Sequence, residues 1–582
     1  MKRNVNPIDL ELVKDSLGSL VDEMSLTIVR TAHSSVLRDV MDFSTAFCDT
    51  QGRIIMQGVT IPNQLGAMPD AVNAIKAKYS GSLVPGDIII MNDPYEGGMH
   101  LPDIFVFKPV FVQDQLACIV ATVAHHTEVG GRVPGSLATD STEIYQEGLR
   151  IPPLKLFEAG KPNEAIFSLI ERNVRVPDTV LGDLAAQLAA CEVGERGYLK
   201  LVRKFGVDGL QEFFDDLLDY TERITRAEIA GWPDGTYEFT DYIDNDGVTD
   251  DPVPIHVKVD IRRDEVWVDF DGTSPQVPAA INATFSFTKS AVYFALRSLL
   301  TSNVPNNAGY FRPIHVSAPA ATLVNAVLPA ACAARGITGF RICNTLFGAL
   351  AGALPERVPA ADEGGVSLVS IGGYDLERKP YVLVEVLAGS WGGGAGRDGS
   401  EGMPNIGANI SNAPVEMIEA RFPIRIERYG FMPDTGGPGE FRGGLSLLRE
   451  YRLLKGSASL LVRSDRRAIL PYGLQGGHPG SPSNNLLITR NGVKVLPPKV
   501  NMTIHENDVF RHVLPGGGGY GDPLRRDPLL VMKDVHDQKI SPEYAAREYG
   551  VVIHENSLAL DLEATARLRR QMADRRPKTL SA

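Results

Sequence analysis

The chain has 582 residues, 43% of them hydrophobic and 22% charged, which excludes a disordered, collagen-like or disulfide-stapled protein. Its 58 Lys and Arg against 71 Asp and Glu give a net charge of −13, and its paired basic residues never build the runs that neutralise many phosphates, so a nucleic-acid partner is not expected. Five scattered cysteines with no CxxC, an N-terminus without an apolar signal core and the lack of any 18-residue apolar run point to a cytoplasmic protein with no membrane span.

Leu10, Val13, Leu17, Val21, Met24 and Ile28 recur at helical spacing, so the first 40 residues read as helix. MDFSTAFCDTQGRIIMQG then reads as strand, turn and strand, with the turn at Asp49–Gly52. A helix follows over 69–79 and short strands over 86–128. Residues 163–226 are helix-like, with Asp178 as a candidate N-cap. Alternation returns in Thr236–Ile243, Ile255–Ile261 and Val266–Phe270; helices are expected over 285–302 and 338–354. Residues 366–521 are strand-like and glycine-rich, and the last 60 are helical and polar. No βαβα rhythm runs through the chain. The expectation is an α+β, multi-domain protein with largely antiparallel or mixed sheets and flanking helices. Its expected parts are 1–230 (N-terminal, bearing the candidate site), 231–365 (mixed), 366–522 (glycine-rich strands) and 523–582 (helical tail).

The strings NDPYEGGMHLPDIF and AHHTEVGG carry the densest chemistry. His100 and Asp103 have HxxD spacing, but Pro102 between them favours a loop over a helix. Two apolar runs, Ile104–Phe111 and Leu116–Ala124, flank the polar Gln113-Asp114-Gln115. Folded as an antiparallel hairpin, they return His125 to Pro102 and Asp103, since opposed residues lie about 4.5–5.5 Å apart. Two imidazoles and one carboxylate with an open position suit a catalytic Zn, Mn or Fe ion. A polar loop with two satisfied histidines is the competing reading. His126 should face the opposite side of the strand, which suits a supporting or acid/base role. Asp42, Asp93 and Glu128 are candidate further ligands or orienting groups.

Gly394–Gly399 and Gly516–Gly521 both match GxGxxG, but neither opens a helix, so tight turns or close backbone approach are expected there instead of a dinucleotide site. No P-loop or GxSxG nucleophile elbow occurs. Arg442, in GGPGEFRGG, is expected in an exposed turn, with anion binding as the second reading.

Taken together, DFSTAFCDTQGRIIMQG, PGDIIIMNDPYEGGMHLPDI, AHHTEVGGRVPGS, EIYQEGLRIPPLKL, GGGAGRDGSEG, NAPVEMIEARFPIRIERYGF and PGGGGYGDP resemble the hydantoinase B/oxoprolinase family from end to end. That family spans subunits of ATP-dependent hydantoinases, lactam-opening enzymes and ketone carboxylases. The resemblance implies a divalent metal on His100, Asp103 and His125; Asp42 stays a further candidate ligand on the residues alone, and His126 or Glu128 is the candidate for moving protons. The resemblance also implies an ATP-binding hydantoinase A-type partner, carrying ATP and Mg, in an A2B2 heterotetramer. The substrate would be a small cyclic amide opened after activation by ATP, with bicarbonate as an optional co-substrate. The alternatives are a subunit of an acetone- or acetophenone-type carboxylase and a non-catalytic scaffold. Many relatives carry Asp where this chain has Glu128, which leaves that residue's role open.

Overall fold

The computed structural model describes residues 6–575 except 59, 60, 65, 366 and 376. The architecture is α+β and mostly antiparallel; among the described residues the one parallel strand pair joins Glu265–Asp269 to Ile314–Ser317. No described helix is long and apolar enough to cross a membrane. All five cysteines are buried and unbridged.

The first sheet positions the candidate site. Its strands are β1 (Phe43–Cys48), β2 (Ile54–Gln57), β3 (Ile88–Met91), β4 (Asp103–Val112), β5 (Gln115–His125), β6 (Leu154–Glu158) and β7 (Lys161–Pro162), in spatial order β2-β1-β5-β4-β3-β6-β7. Residues alternate between two apolar layers, as the strand period of two demands. Ile104, Val106, Val120 and Ala124 join the layer that holds Val13, Leu17, Val21, Met24 and Ile28 of helix Pro7–Thr31. Phe105, Phe107, Ala121 and Val123 join the other, with Met68, Ala71, Val72 and Ile75 of helix Met68–Tyr79 and with Phe287. Helix Pro7–Thr31 is started by Asn6, whose side chain accepts from the Ile8 amide, and its buried stripe repeats every three or four residues. Asp178 does not cap helix Pro177–Phe205; Pro177 takes the first helical position, so the cap falls on Val176 and Asp178 lies in the first turn.

Three larger sheets follow, besides a two-stranded one that pairs Val552–Ile553 with Leu560–Asp561. One orders Ile314–Ser317, Glu265–Asp269, Val253–Arg262 and Gly235–Ile243; the second orders Pro380–Leu387, Ser367–Tyr374, Ser457–Arg463 and Lys499–His505. The third orders Ile424–Met432, Ser446–Leu453, Val509–Val513, Asn484–Thr489 and Gly492–Leu496. One apolar core runs from Val13 to Leu514, and Val531–Ile553 carries a small cluster of its own.

The glycine motifs are sites of close backbone approach. Gly517 and Gly518 lie against the carbonyls of Trp391 and Tyr472, and Gly443 lies against that of Gly517. Backbone cannot yield as a flexible side chain can. Gly443→Ala is therefore expected to lower stability by about 3 kcal/mol or more, read as a shift in the urea midpoint or loss of soluble protein. Gly18→Ala, where an added Cβ meets nothing within 4 Å, is the control and should be neutral or stabilising.

Candidate functional site

The site begins at the turn after β3. Asp93 caps Pro94–Glu96 by accepting from the Tyr95 amide at 3.0 Å, and pairs with Arg150 at 3.3 Å. Asn92 braces the returning chain, donating to the carbonyls of Leu101 (2.7 Å) and Leu149 (2.9 Å) and accepting from the Ile151 amide (2.6 Å). Asp103 then opens β4 opposite His125 at the end of β5, the register expected of the hairpin. Both side chains share the face of Phe105 and Val123.

His100, Asp103 and His125 are 3%, 1% and 5% exposed. His100 Nε2 lies 3.1 Å from His125 Nδ1 and 3.2 Å from Asp103 Oδ2, and His125 Nδ1 lies 3.2 Å from Asp103 Oδ1. His100 Nδ1 faces the Ala333 carbonyl at 3.2 Å and so donates to it, which leaves Nε2 with a lone pair in the neutral ring. Burial, followed by the charge of Arg335, pushes the His100 pKa down to about 3, so the ring is neutral at physiological pH. Burial alone would raise Asp103, but the Arg335 guanidinium against it outweighs burial and holds its carboxyl well below the usual range. An imidazole lone pair thus faces an ionised carboxylate across 3.2 Å, an arrangement that calls for a cation between them.

The spacing fits one. A metal about 2.0–2.2 Å from each of three adjacent donors would set those donors about 3.0–3.4 Å apart. His125 Nε2, the other ring nitrogen, is buried without a partner.

Two arginines distant in sequence complete the surroundings. Arg335 donates to Asp103 Oδ2 and stacks 3.8 Å from the centre of the Phe287 ring. Arg463 ends strand Ser457–Arg463. Both line a cavity of about 40 Å³ together with the three donors and Asp42, under an apolar wall that includes Ile61, Phe340, Leu368, Val386 and Ile410. Asp42 accepts from Gln64 at 3.3 Å, and its backbone carbonyl takes the His125 amide at 3.0 Å.

His126 and Glu128 do not line this cavity. His126 points to the helix side of the sheet, where its Nε2 meets Gln187 Oε1 at 2.9 Å. Glu128 is fully buried and holds Arg175 through its Nη1 at 2.7 Å and through its backbone amide. Glu128→Ala would leave the Arg175 amide and guanidinium without that partner. The expected cost is about 2–4 kcal/mol of stability, checked by urea denaturation, with metal content unchanged. Arg442 is a correction: it is 3% exposed and paired with Glu401 and Asp534 instead of standing in an open turn.

Arg335, Arg463 and Glu147 are site residues that no sequence pattern singled out. Glu147 accepts from the amides of Cys332 (2.9 Å) and Ala333 (2.8 Å), and so fixes the carbonyl that orients His100. Its one signal in the sequence is its place in the string QEGLR.

The family model for Hydantoinase B/oxoprolinase matches residues 6–523. The B-type subunit of a putative D-/L-hydantoinase from Pseudomonas sp. (strain NS671) is 34% identical over 98% of this chain and 98% of its own. The crystal structure of an ATP-dependent caprolactamase from Pseudomonas jessenii superposes with a TM-score of 0.92 at 32% identity, covering 98% of this chain and 100% of that one. An acetone carboxylase shares the fold, with a TM-score of 0.93 at 19% identity over 100% of this chain and 84% of its own.

Proposed function

This chain belongs to the hydantoinase B/oxoprolinase family, and from that premise we propose that it is the metal-bearing subunit of an ATP-dependent cyclic amide hydrolase. An ATP-binding hydantoinase A-type subunit would activate the ring, and this chain would open it. Relatives named as the B-type subunit of a hydantoinase and the beta subunit of a caprolactamase support a partner and an amide substrate. The observation that carries the reading is the lone pair of His100 facing ionised Asp103 with His125 beside both.

His100, Asp103 and His125 would hold a divalent ion, Zn, Mn or Fe, which when bound supplies Lewis-acid polarisation of a carbonyl or an activated water. The protein's own contributions follow from its contacts. The Ala333 carbonyl fixes the His100 tautomer, and Arg335 keeps Asp103 ionised. Ile61, Phe340, Leu368, Val386 and Ile410 exclude water and suit the methylenes of a small ring. His126 and Glu128, set outside the cavity, act by positioning the β5 end and the loop after it. Asp42 is placed to accept a proton or to join the metal. An A2B2 assembly, Mg-ATP on the partner and an optional role for bicarbonate belong to the same proposal.

Hydrolase is preferred to carboxylase because full-length likeness at 34% identity lies with the hydantoinase and caprolactamase subunits, whereas the carboxylase likeness is one of fold. The test is elemental analysis of the purified chain, then turnover of hydantoin, 5-oxoproline and caprolactam with an A-type partner, ATP and labelled bicarbonate. Near one metal per chain and an opened ring without retained label are expected. Label kept in the product of a ketone would replace the reading with a carboxylase, and a well-folded chain that takes no metal would leave a scaffold.

A further inference from the structure

Arg463 is a buried guanidinium with nothing to hold. It is 5% exposed, lines the cavity beside the three donors, and makes no hydrogen bond or ion pair through its side chain to any described residue. Every other charged side chain lining the cavity has a partner: Asp103 has Arg335 and both histidines, and Asp42 has Gln64. Burial and then the repulsion of Arg335, only partly offset by the attraction of Asp42, depress the Arg463 pKa to about 9. An Arg side chain stays protonated at neutral pH even so, and an unpaired buried charge is a large standing cost to the fold.

The neighbouring backbone adds to the positive field. A Cβ built on Gly336 would sit 3.3 Å from Arg463 Nη2. That places the guanidinium against the first turn of helix Arg335–Leu350, whose N-terminal end carries partial positive charge. Two arginines and a helix N-terminus therefore meet at one small space, where Asp103 is already balanced by Arg335, burial raises the Asp42 carboxyl toward its neutral form, and the rest of the wall is largely apolar. A guanidinium fork matches the paired oxygens of a carboxylate, carbonate or phosphoryl group. About 40 Å³ has room for such a group.

We propose that Arg463, seconded by Arg335 and the N-terminus of the Arg335–Leu350 helix, forms a subsite for a compact oxyanion next to the His100–Asp103–His125 donors. This deepens the function proposed above and rests on it for the oxyanion's identity: the group would be the negatively charged end of the activated substrate or of its co-substrate. The positive subsite itself stands on the geometry of this chain.

The test is calorimetric titration of the purified chain with sodium phosphate and, separately, sodium bicarbonate, with metal content measured on the same samples. Wild type is expected to bind at least one of these saturably at one site per chain. Arg463→Met should bind it at least tenfold more weakly with its metal content intact. Because Met fills similar volume without the charge, its Tm should equal or exceed that of wild type, whereas an arginine kept only for structure would lower it. Arg463→Lys, which keeps the charge and loses the fork, should fall between the two and replaces the Met variant if that does not fold. Preference for phosphate would assign the subsite to a phosphoryl group, and preference for bicarbonate to a carbonate or carboxylate. No saturable binding by wild type, or Arg463 variants that bind as wild type does, would overturn the proposal. A metal-free wild type that still binds through Arg463 would sink the hydrolase reading and leave the subsite standing; a metal-loaded wild type that binds neither anion would do the reverse.

Discussion

Asp103→Ala is expected to strip the candidate centre of its metal and to lower turnover by more than about a hundredfold, beyond what losing a group that merely supports a ligand costs. The reason is the number of groups that depend on this carboxylate. Its two oxygens serve His125, His100 and Arg335, and all four residues are buried. Removing it leaves the Arg335 guanidinium beside the unpaired Arg463, with only Asp42, whose carboxyl burial pushes toward the neutral form, facing both. Breaking a buried pair from one side costs about 3–5 kcal/mol, so a loss of stability accompanies the loss of metal. Asp103→Asn separates the two effects. It keeps the shape and one acceptor oxygen but removes the charge, so it should recover only the part of the stability that shape and hydrogen bonding supply, while still losing the metal. Elemental analysis and a urea melt on both variants give the answer, and an Asp103→Asn protein with full metal and turnover would remove Asp103 from the chemistry.

Asp465→Ala is the second large effect, and it lies outside the cavity. Asp465 accepts from Arg341 Nη2 at 2.5 Å, Lys499 Nζ at 3.2 Å and the Asp244 amide at 3.1 Å. Arg466 pairs with Asp241 through both terminal nitrogens at 2.7 and 3.1 Å, and Asp241 also faces Arg341 at 3.5 Å. This buried network ties strand Gly235–Ile243, helix Arg335–Leu350 and strand Lys499–His505 to one junction. Loss of Asp465 leaves Lys499 without a carboxylate and Arg341 with only the longer contact to Asp241, and about 3–5 kcal/mol of stability should go with it. The double variant Asp465→Leu, Arg341→Met should recover part of it, because well-packed apolar groups often replace a buried pair at little cost. Urea denaturation of the single and double variants decides; a single variant within about 1 kcal/mol of wild type would show the network to be dispensable.

The hairpin was legible because its signal is local. Two apolar runs, a polar turn and a period of two fix which residues oppose one another, and a register of one residue decides which side chain faces which layer. That same parity separates His125 from His126. Arg335 and Arg463 were not legible, because they reach the site from 232 residues beyond Asp103 and from the end of a strand in another sheet, and no local pattern encodes that meeting. Glu128 misled for a related reason. Its neighbours in sequence are the histidines, but its partner is Arg175, just before a helix that packs against the sheet. The Asp178 cap failed to a competing rule, since Pro177 is preorganised for the first helical position.

The stacked glycines set how this protein can be altered. Where backbone rests on backbone, as Gly443 does on Gly517 and Gly517 on Trp391, every other residue type brings a Cβ into a carbonyl. Random mutagenesis spread over the whole chain would spend many of its variants on positions that yield only misfolded protein. The apolar wall at Ile61, Leu368, Val386 and Ile410 consists of side chains and can be resized without touching that slab. On the proposed reading, a library confined to those four positions is the economical route to a subunit that would accept a larger or smaller ring.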